Sequence, residues 1–202
     1  MTIGWSGRIL AVEPRTRSFD QRWHEYVGFV LRVDGLVDGE AREFAVAIGK
    51  AAHAKHGFRR GDVVKGRAEP FPQRQLDWVD LHKVAALAIT ARAPLDLRKP
   101  PPWHDVPPAL ETYRERRARR LNVRTYQTKC DGCQWGAAMA VTMIIDHWKP
   151  DIRDYRTETF CYGPKSCPLY RAGAVRVVPG RRGMTYEEED WVDEEETSHR
   201  DD

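Results

Sequence analysis

The sequence predicts a mainly β protein with a five-stranded barrel, followed by a small four-cysteine module that is linked to it through a basic helix. Short segments of alternating hydrophobicity fill the first hundred residues, six prolines interrupt residues 93–108, and all four cysteines lie between positions 130 and 167. With 202 residues, 41% of them hydrophobic and seven of them Trp, the chain can hold a domain of about 100 residues and a smaller one. The predicted divisions are a barrel over 1–92, a Pro-rich spacer and basic helix over 93–123, a four-cysteine module over 124–183 and an acidic tail over 184–202.

The barrel strands are predicted from alternation and from turn residues. Residues 5–12 are strand-like, and in residues 24–33 the side chains of Phe29 and Val33 share one face while those of Tyr26 and Arg32 share the other. One face is therefore expected to be core and the other to be available for binding. Further strands are predicted over 43–48, 63–68 and 79–91, with a short alanine-rich helix over 50–56 that ends at Gly57.

This order of three strands, a short helix and two more strands resembles the OB-fold, a five-stranded Greek-key barrel. The phrase FRRGDVVKG, residues 58–66, is similar to the start of the fourth strand in many such barrels, and the resemblance covers about 90 of the 202 residues. Another small barrel or a β-sandwich is the alternative.

The resemblance implies a binding face on strands two and three, flanked by the loops that join strands one to two and four to five. Aromatic rings stack on bases for about 1–3 kcal/mol each and arginines follow the phosphates, so this face suits single-stranded RNA or DNA. The alternative is that the aromatic residues only fill the ends of the barrel. The matching positions in this chain are Arg15, Arg17, Phe19, Arg22, Trp23, Tyr26, Arg32, Phe71, Arg74, Gln75 and Trp78.

A spacer and a basic helix are predicted after the barrel. The prolines in residues 93–108 favour an extended, semi-rigid connection. Residues 109–122 have the composition of a helix and carry five arginines in seven positions, more than solubility requires, so this helix is expected to bind phosphate or an acidic partner surface. The arginines are Arg114, Arg116, Arg117, Arg119 and Arg120.

The four cysteines are spaced as Cys130-x2-Cys133 and Cys161-x5-Cys167. The first pair has the spacing of a zinc knuckle, and a tetrahedral Zn²⁺ ion needs a second pair from another turn. The segments between the pairs predict a hairpin, so the module is expected to be similar to a zinc ribbon with a closed, structural metal site. A module with so little core would depend on the metal to fold.

Three other uses of the cysteines stay open. Two disulfides fit the even count, although the chain opens without the basic start and apolar stretch of a secretory signal, which favours a reducing cytoplasm. An iron–sulfur cluster also takes four thiolates, and Pro168 directly after Cys167 is a feature of some cluster-binding runs. A thioredoxin-like redox motif is the third alternative.

Charge is divided unevenly along the chain. Residues 186–202 carry ten Asp and Glu against one Arg, while the rest of the chain has 32 basic and 20 acidic residues. The tail is expected to be disordered, or to fold back on the arginine surface. The longest uncharged apolar run has nine residues, too few for the roughly 18–20 of a membrane span.

The sequence therefore predicts a nucleic-acid-binding protein with a structural zinc site. The order of barrel and zinc ribbon is similar to that of certain RNA-processing and translation-associated proteins. A protein-interaction adaptor, docking through the basic helix or the acidic tail, is the alternative, and an iron–sulfur or thiol redox protein is the weaker one. The sequence contains no legible Ser-His-Asp set, phosphate loop or paired-carboxylate site, so an enzyme is not expected.

Overall fold

The computed structural model describes residues 1–20, 23–73, 75–146, 148–188 and 191–202. Two predicted nucleic-acid contacts, Arg22 and Arg74, lie outside these ranges. The protein is mainly β, as predicted, with short helices between the strands. In the described part of the chain no helix has the length and apolar character needed to cross a bilayer.

The N-terminal half forms a five-stranded sheet that closes on itself. Strand β1 pairs antiparallel with β2 along one edge and with β4 along the other, and β3 meets β5 in parallel at Val46 and Leu81. The strand order is β1-β2-β3-β5-β4, and a helix, α1, lies between β3 and β4, as predicted. The elements are β1 Ile3–Ser18, β2 His24–Val37, β3 Glu40–Ile48, α1 Lys50–His56, β4 Val63–Pro70 and β5 Leu81–Ala91.

Helix α1 ends as the sequence predicts. Gly57 has a φ of 56° and a ψ of 53°, the left-handed conformation that glycine adopts without a Cβ penalty. Its backbone N–H donates to the His53 carbonyl at 2.8 Å. Phe58, directly after it, is fully buried, so the helix end is fixed to the core.

The C-terminal half is built from short elements around a hairpin. Strands β7 and β8 pair antiparallel from Gly136 and Cys161 to Ile144 and Arg153, and β6 adds to the other edge of β8. The apolar and aromatic segments on either side of Pro150 predict this hairpin. The elements are α2 Leu110–Arg116, β6 Arg119–Arg120, α3 Val123–Lys129, β7 Gly136–Ile144, β8 Arg153–Cys161, β9 Arg176–Pro179, β10 Thr185–Glu188 and α4 Trp191–Glu196.

One hydrophobic cluster connects the two halves. Its members in the closed sheet, such as Ile9 and Phe29, are joined by Tyr113, Met139 and Tyr162 from the C-terminal half. Because these side chains bury one another, the C-terminal half packs on the closed sheet directly, and the residues of the spacer run along the surface between them.

The predicted basic helix over 109–122 is wrong in its second half. Helix α2 ends at Arg116, Arg117 takes a positive φ of 58°, and Arg119 and Arg120 form β6 against β8. Intrinsic helix propensity favours a longer helix, but strand pairing with Cys161 and Phe160 outweighs it. The arginines therefore do not share one helical surface.

Of the two expectations for the acidic tail, disorder or folding back on the arginines, its described residues fit the second. Strand β10 pairs with β9, and α4 follows it. The tail returns to arginines of its own chain: Asp193 accepts from Arg120 Nε at 3.1 Å, and Asp202 pairs with Arg116 at 2.6 Å. The attraction between the tail's carboxylates and these arginines offsets the shortage of apolar residues that had suggested disorder.

Candidate metal centre and nucleic-acid interface

The first cysteine pair lies in a tight turn after α3. Cys130 follows the last residue of α3, and the Cys133 N–H donates to its carbonyl at 2.9 Å. Gly132 has a φ of 73°, and a Cβ at this position would lie 2.7 Å from Arg60 Cδ and 2.7 Å from the Leu10 carbonyl oxygen. Only glycine lets this turn approach the closed sheet so closely.

The second pair lies in the turn after β8. The Gly163 N–H donates to Cys161 Sγ at 3.3 Å, and the Cys167 N–H donates to the Pro164 carbonyl at 3.1 Å. Backbone N–H groups directed at sulfur favour its thiolate form. Since Gly136 is opposite Cys161 in the β7–β8 ladder, the hairpin brings the two turns side by side.

Three of the four cysteines lie in one buried cluster. Cys130, Cys133 and Cys161 are buried in a single cluster, Cys167 is half-buried, and all four thiols are free of disulfides. Burial, together with the smaller effect of the other three cysteines, raises the pKa of Cys130 to about 12. Burial also raises the pKa of Cys133 to about 11, against the backbone N–H groups of Trp135 and Trp103.

These residues fit a thiolate-bound metal in donor type, number and burial, although they are not drawn together as ligands. Among the described residues, no three Cys, His, Asp or Glu side chains form a group that could hold a metal ion as it stands.

The predicted nucleic-acid face on β2 is covered by the C-terminal half. The Tyr26 hydroxyl donates to the Tyr162 hydroxyl at 3.1 Å, and Trp78 Nε1 donates to the Ala138 carbonyl at 2.7 Å. Arg32 pairs with Asp131, inside the first cysteine turn, at 2.8 Å. The expectation that one face of β2 is available is therefore wrong, because the module occupies it.

A buried carboxylate at this contact was not singled out by the sequence analysis. Glu13, with a relative exposure of 1%, accepts from the Tyr126 hydroxyl at 2.6 Å and from the Ala138 N–H at 2.9 Å, and it lies 3.6 Å from Arg32. Burial raises its pKa, while the Arg32 charge and the two hydrogen bonds oppose the rise. In the sequence, a single Glu directly after the apolar residues Ala11 and Val12 was the signal that could have indicated this buried carboxylate.

The other predicted contacts divide into paired and exposed residues. Arg15 pairs with Asp77 at 2.6 Å, and the guanidinium of Arg15 lies 5.9 Å from the Phe71 ring centre. Arg119 and Arg120 are buried and Arg116 is half-buried, whereas the exposed members of the predicted set are Arg17, Phe19, Trp23, Gln75, Arg114 and Arg117.

Three loops gather at the end of the molecule that contains Trp23. The Thr142 N–H donates to Ser18 Oγ at 2.9 Å, which joins the β1–β2 loop to the end of β7, and Arg181 Nε lies 3.6 Å from Asp146. We call the described residues of 17–23, 145–153 and 181–186 the aromatic end. Its exposed apolar side chains are Phe19, Trp23, Trp148, Ile152, Met184 and Tyr186.

The aromatic end is also cationic. Its described residues include five Lys and Arg against three Asp. Trp23 and Trp148 are 72% and 86% exposed, so their rings are open to a ligand rather than part of the core. The sequence identified Arg17, Phe19 and Trp23, but nothing in it placed residues 145–153 beside them.

No protein-family model, curated protein or solved structure matches this chain.

Proposed function

We propose that this protein binds single-stranded nucleic acid and holds its C-terminal half together with a structural Zn²⁺ ion bound by Cys130, Cys133, Cys161 and Cys167. The strand order of the closed sheet and the helix between β3 and β4 support the resemblance to an OB-fold, and the hairpin between the two cysteine turns supports the resemblance to a zinc ribbon. The observation that carries the nucleic-acid proposal is the exposed aromatic end.

The metal proposal rests on the cysteine turns. Four thiolates from the two turns would complete a tetrahedral set around one ion and leave no open position, so the ion would be structural. Metal analysis of untreated protein is expected to give about one zinc per chain. A brown protein containing iron and labile sulfide would instead support the iron–sulfur alternative.

The aromatic end replaces the covered face of β2 as the proposed binding surface. In OB-folds the loop between the first two strands is a binding loop, and here it presents Arg17, Phe19 and Trp23. Trp148, in the neighbouring loop, adds a ring that can stack on a base. Arg153, at the start of β8, adds a guanidinium group that can contact a phosphate.

Fluorescence anisotropy with labelled single-stranded RNA and DNA tests this surface. The double variant Trp23→Ala/Trp148→Ala is expected to bind at least about 10-fold more weakly at low salt, because two stacking rings are lost. Arg17→Ala/Arg153→Ala is expected to reduce the slope of log K against log salt by about 1.4.

The matched controls lie at the opposite end of β1. Leu36→Ala and Arg67→Ala remove an exposed apolar side chain and an exposed cation near the Trp5 end of the closed sheet, and neither should change binding. If the protein binds neither oligonucleotide at low salt, the nucleic-acid proposal is wrong.

The adaptor alternative has less support. The arginines and the acidic tail that would dock separate partners are engaged with each other, through Arg120 with Asp193 and Arg116 with Asp202. A protein partner would first have to displace these ion pairs.

A further inference from the structure

Three arginines surround the second cysteine turn. Arg116 Nε and Arg200 Nη1 both donate to the Tyr162 carbonyl, Arg200 Nη1 also donates to the Gly163 carbonyl at 3.0 Å, and Arg119 Nη2 donates to the Pro164 carbonyl at 3.0 Å. Arg119 is opposite Cys161 in the β6–β8 ladder. Arg200 comes from the C-terminal segment.

Two of these guanidinium groups are buried with N–H groups left over. Arg119 and Arg200 are 8% and 7% exposed. Among the described residues, Arg119 Nε and both Nε and Nη2 of Arg200 have no hydrogen-bond partner. The carbonyls of the turn therefore accept from only some of the N–H groups of each guanidinium.

Among the described residues, no carboxylate pairs with Arg119 or Arg200. Asp202 acts on Arg200, but its side chain accepts from Arg116 at 2.6 Å. Arg119 also lies over the Tyr170 ring, 4.0 Å from its centre, but a ring carries no net charge. Both buried cations therefore lack an anion among the described residues, which is unfavourable.

The proposed metal centre would supply the missing anion. A divalent cation with four thiolates leaves two negative charges uncompensated, equal to the two positive charges of Arg119 and Arg200. Arg119 pairs with Cys161 in the β6–β8 ladder, and Arg200 donates to the carbonyls of Tyr162 and Gly163, the two residues that directly follow Cys161.

We infer that Arg119 and Arg200 neutralise the thiolate–metal complex, and that the C-terminal segment 191–202 retains the metal by placing Arg200 beside the second cysteine turn. The inference rests on the proposed metal centre and adds a role for the tail. Both arginines are positioning residues, because they act on the metal through the thiolates.

Zinc release from the full-length chain tests this role. The zinc-loaded protein is mixed with the chelator 4-(2-pyridylazo)resorcinol, and the release rate is read from the coloured complex. Arg200→Met removes the charge at similar volume and is expected to release zinc about 10- to 100-fold faster. Arg200→Lys keeps the charge and is expected to stay close to the unaltered protein.

The pair of variants separates charge from packing, because both lose the forked hydrogen bonds to Tyr162 and Gly163. Equal acceleration in Arg200→Met and Arg200→Lys, or no acceleration in Arg200→Met, would overturn the inference. Arg171→Met, which removes an exposed arginine, is the control and should not change release.

Arg119→Met provides an independent measurement from the ordered strand β6, and it should accelerate release in the same direction. If the unaltered protein contains no metal, the proposed metal centre and the inference both fail. If it contains metal that Arg200→Met and Arg119→Met release at the unaltered rate, only the inference fails.

Discussion

The closed sheet and the C-terminal half bury different kinds of side chain. In the closed sheet the fully buried residues are mainly aliphatic, such as Ile9, Leu31 and Val33, and their burial stabilises by the ordinary hydrophobic effect. Its buried carboxylates, Glu13 and Asp62, have arginine partners. In the C-terminal half, the buried set includes Arg119 and Arg200 beside free cysteines, and neither arginine has a described carboxylate partner. Such a region depends on charge compensation, so it should respond to metal and to substitution of polar residues far more than the closed sheet does.

Replacement of a cysteine is expected to give the largest difference in behaviour between the two regions. Cys161→Ser is expected to reduce bound zinc to near zero, because serine is a poor ligand and no spare thiol replaces it. Without metal, the β6–β8–β7 sheet should lose its amide protection while β1–β5 retain theirs. Metal analysis and hydrogen exchange measure the two effects.

Ser166→Ala is the control for this experiment, since it removes an exposed hydroxyl from the same turn. It should keep both zinc and amide protection. If Cys161→Ser keeps its zinc, or if protection falls equally in β1–β5, the two regions do not differ in metal dependence.

The contact between the two regions should give the next largest effect. Glu13→Ala removes a buried carboxylate that serves Tyr126, Ala138 and Arg32. Breaking a buried charged network typically costs about 3–5 kcal/mol, because the partners are left unsatisfied. The free energy of unfolding in urea is therefore expected to fall by about that amount.

Glu25→Ala, on an exposed position of β2, controls for the loss of a carboxylate. Its effect should lie within about 0.5 kcal/mol of zero. An equal effect of the two substitutions would show that Glu13 contributes nothing specific to the contact between the regions.

The two regions also differed in how far their structure could be predicted from sequence. In the closed sheet, local signals sufficed: alternation in β2, the alanine-rich α1 and Gly57 gave the element order. In the C-terminal half, the composition of 109–122 favoured one helix, but pairing of Arg119 with Cys161 across the chain made it a strand. Local propensity cannot report such distant pairing.

The two proposed sites could also be predicted only as far as local signals in the sequence define them. Cysteine spacing predicted two turns, and the structure places those turns side by side. The nucleic-acid face was assigned by resemblance, and it could not reveal that the module itself would cover Tyr26 and Trp78. Trp148 became a candidate only when the Ser18–Thr142 bond placed its loop beside Trp23.

The smallest predicted effect is a pH dependence of folding stability that arises in the N-terminal half. His53 of α1 is buried, and its Nε2 lies 2.9 Å from the Pro107 carbonyl of the spacer. Burial lowers its pKa, against the hydrogen bond to Pro107. Below the unfolded pKa of about 6.5 the unfolded chain binds a proton that the folded chain does not, so stability falls as pH decreases from that value towards the folded pKa.

Urea unfolding of zinc-loaded protein at about pH 7.5 and about pH 5.5 measures this fall, which one group limits to about 1.4 kcal/mol per pH unit. His53→Gln can still donate to the Pro107 carbonyl but cannot titrate, so its stability should fall less between the two conditions. His56→Gln, on the same helix, should keep the pH dependence of the unaltered protein. If His53→Gln shows the full fall, the pH sensitivity arises elsewhere, and the metal-binding thiols of the C-terminal half become its source, because protons compete with zinc for them.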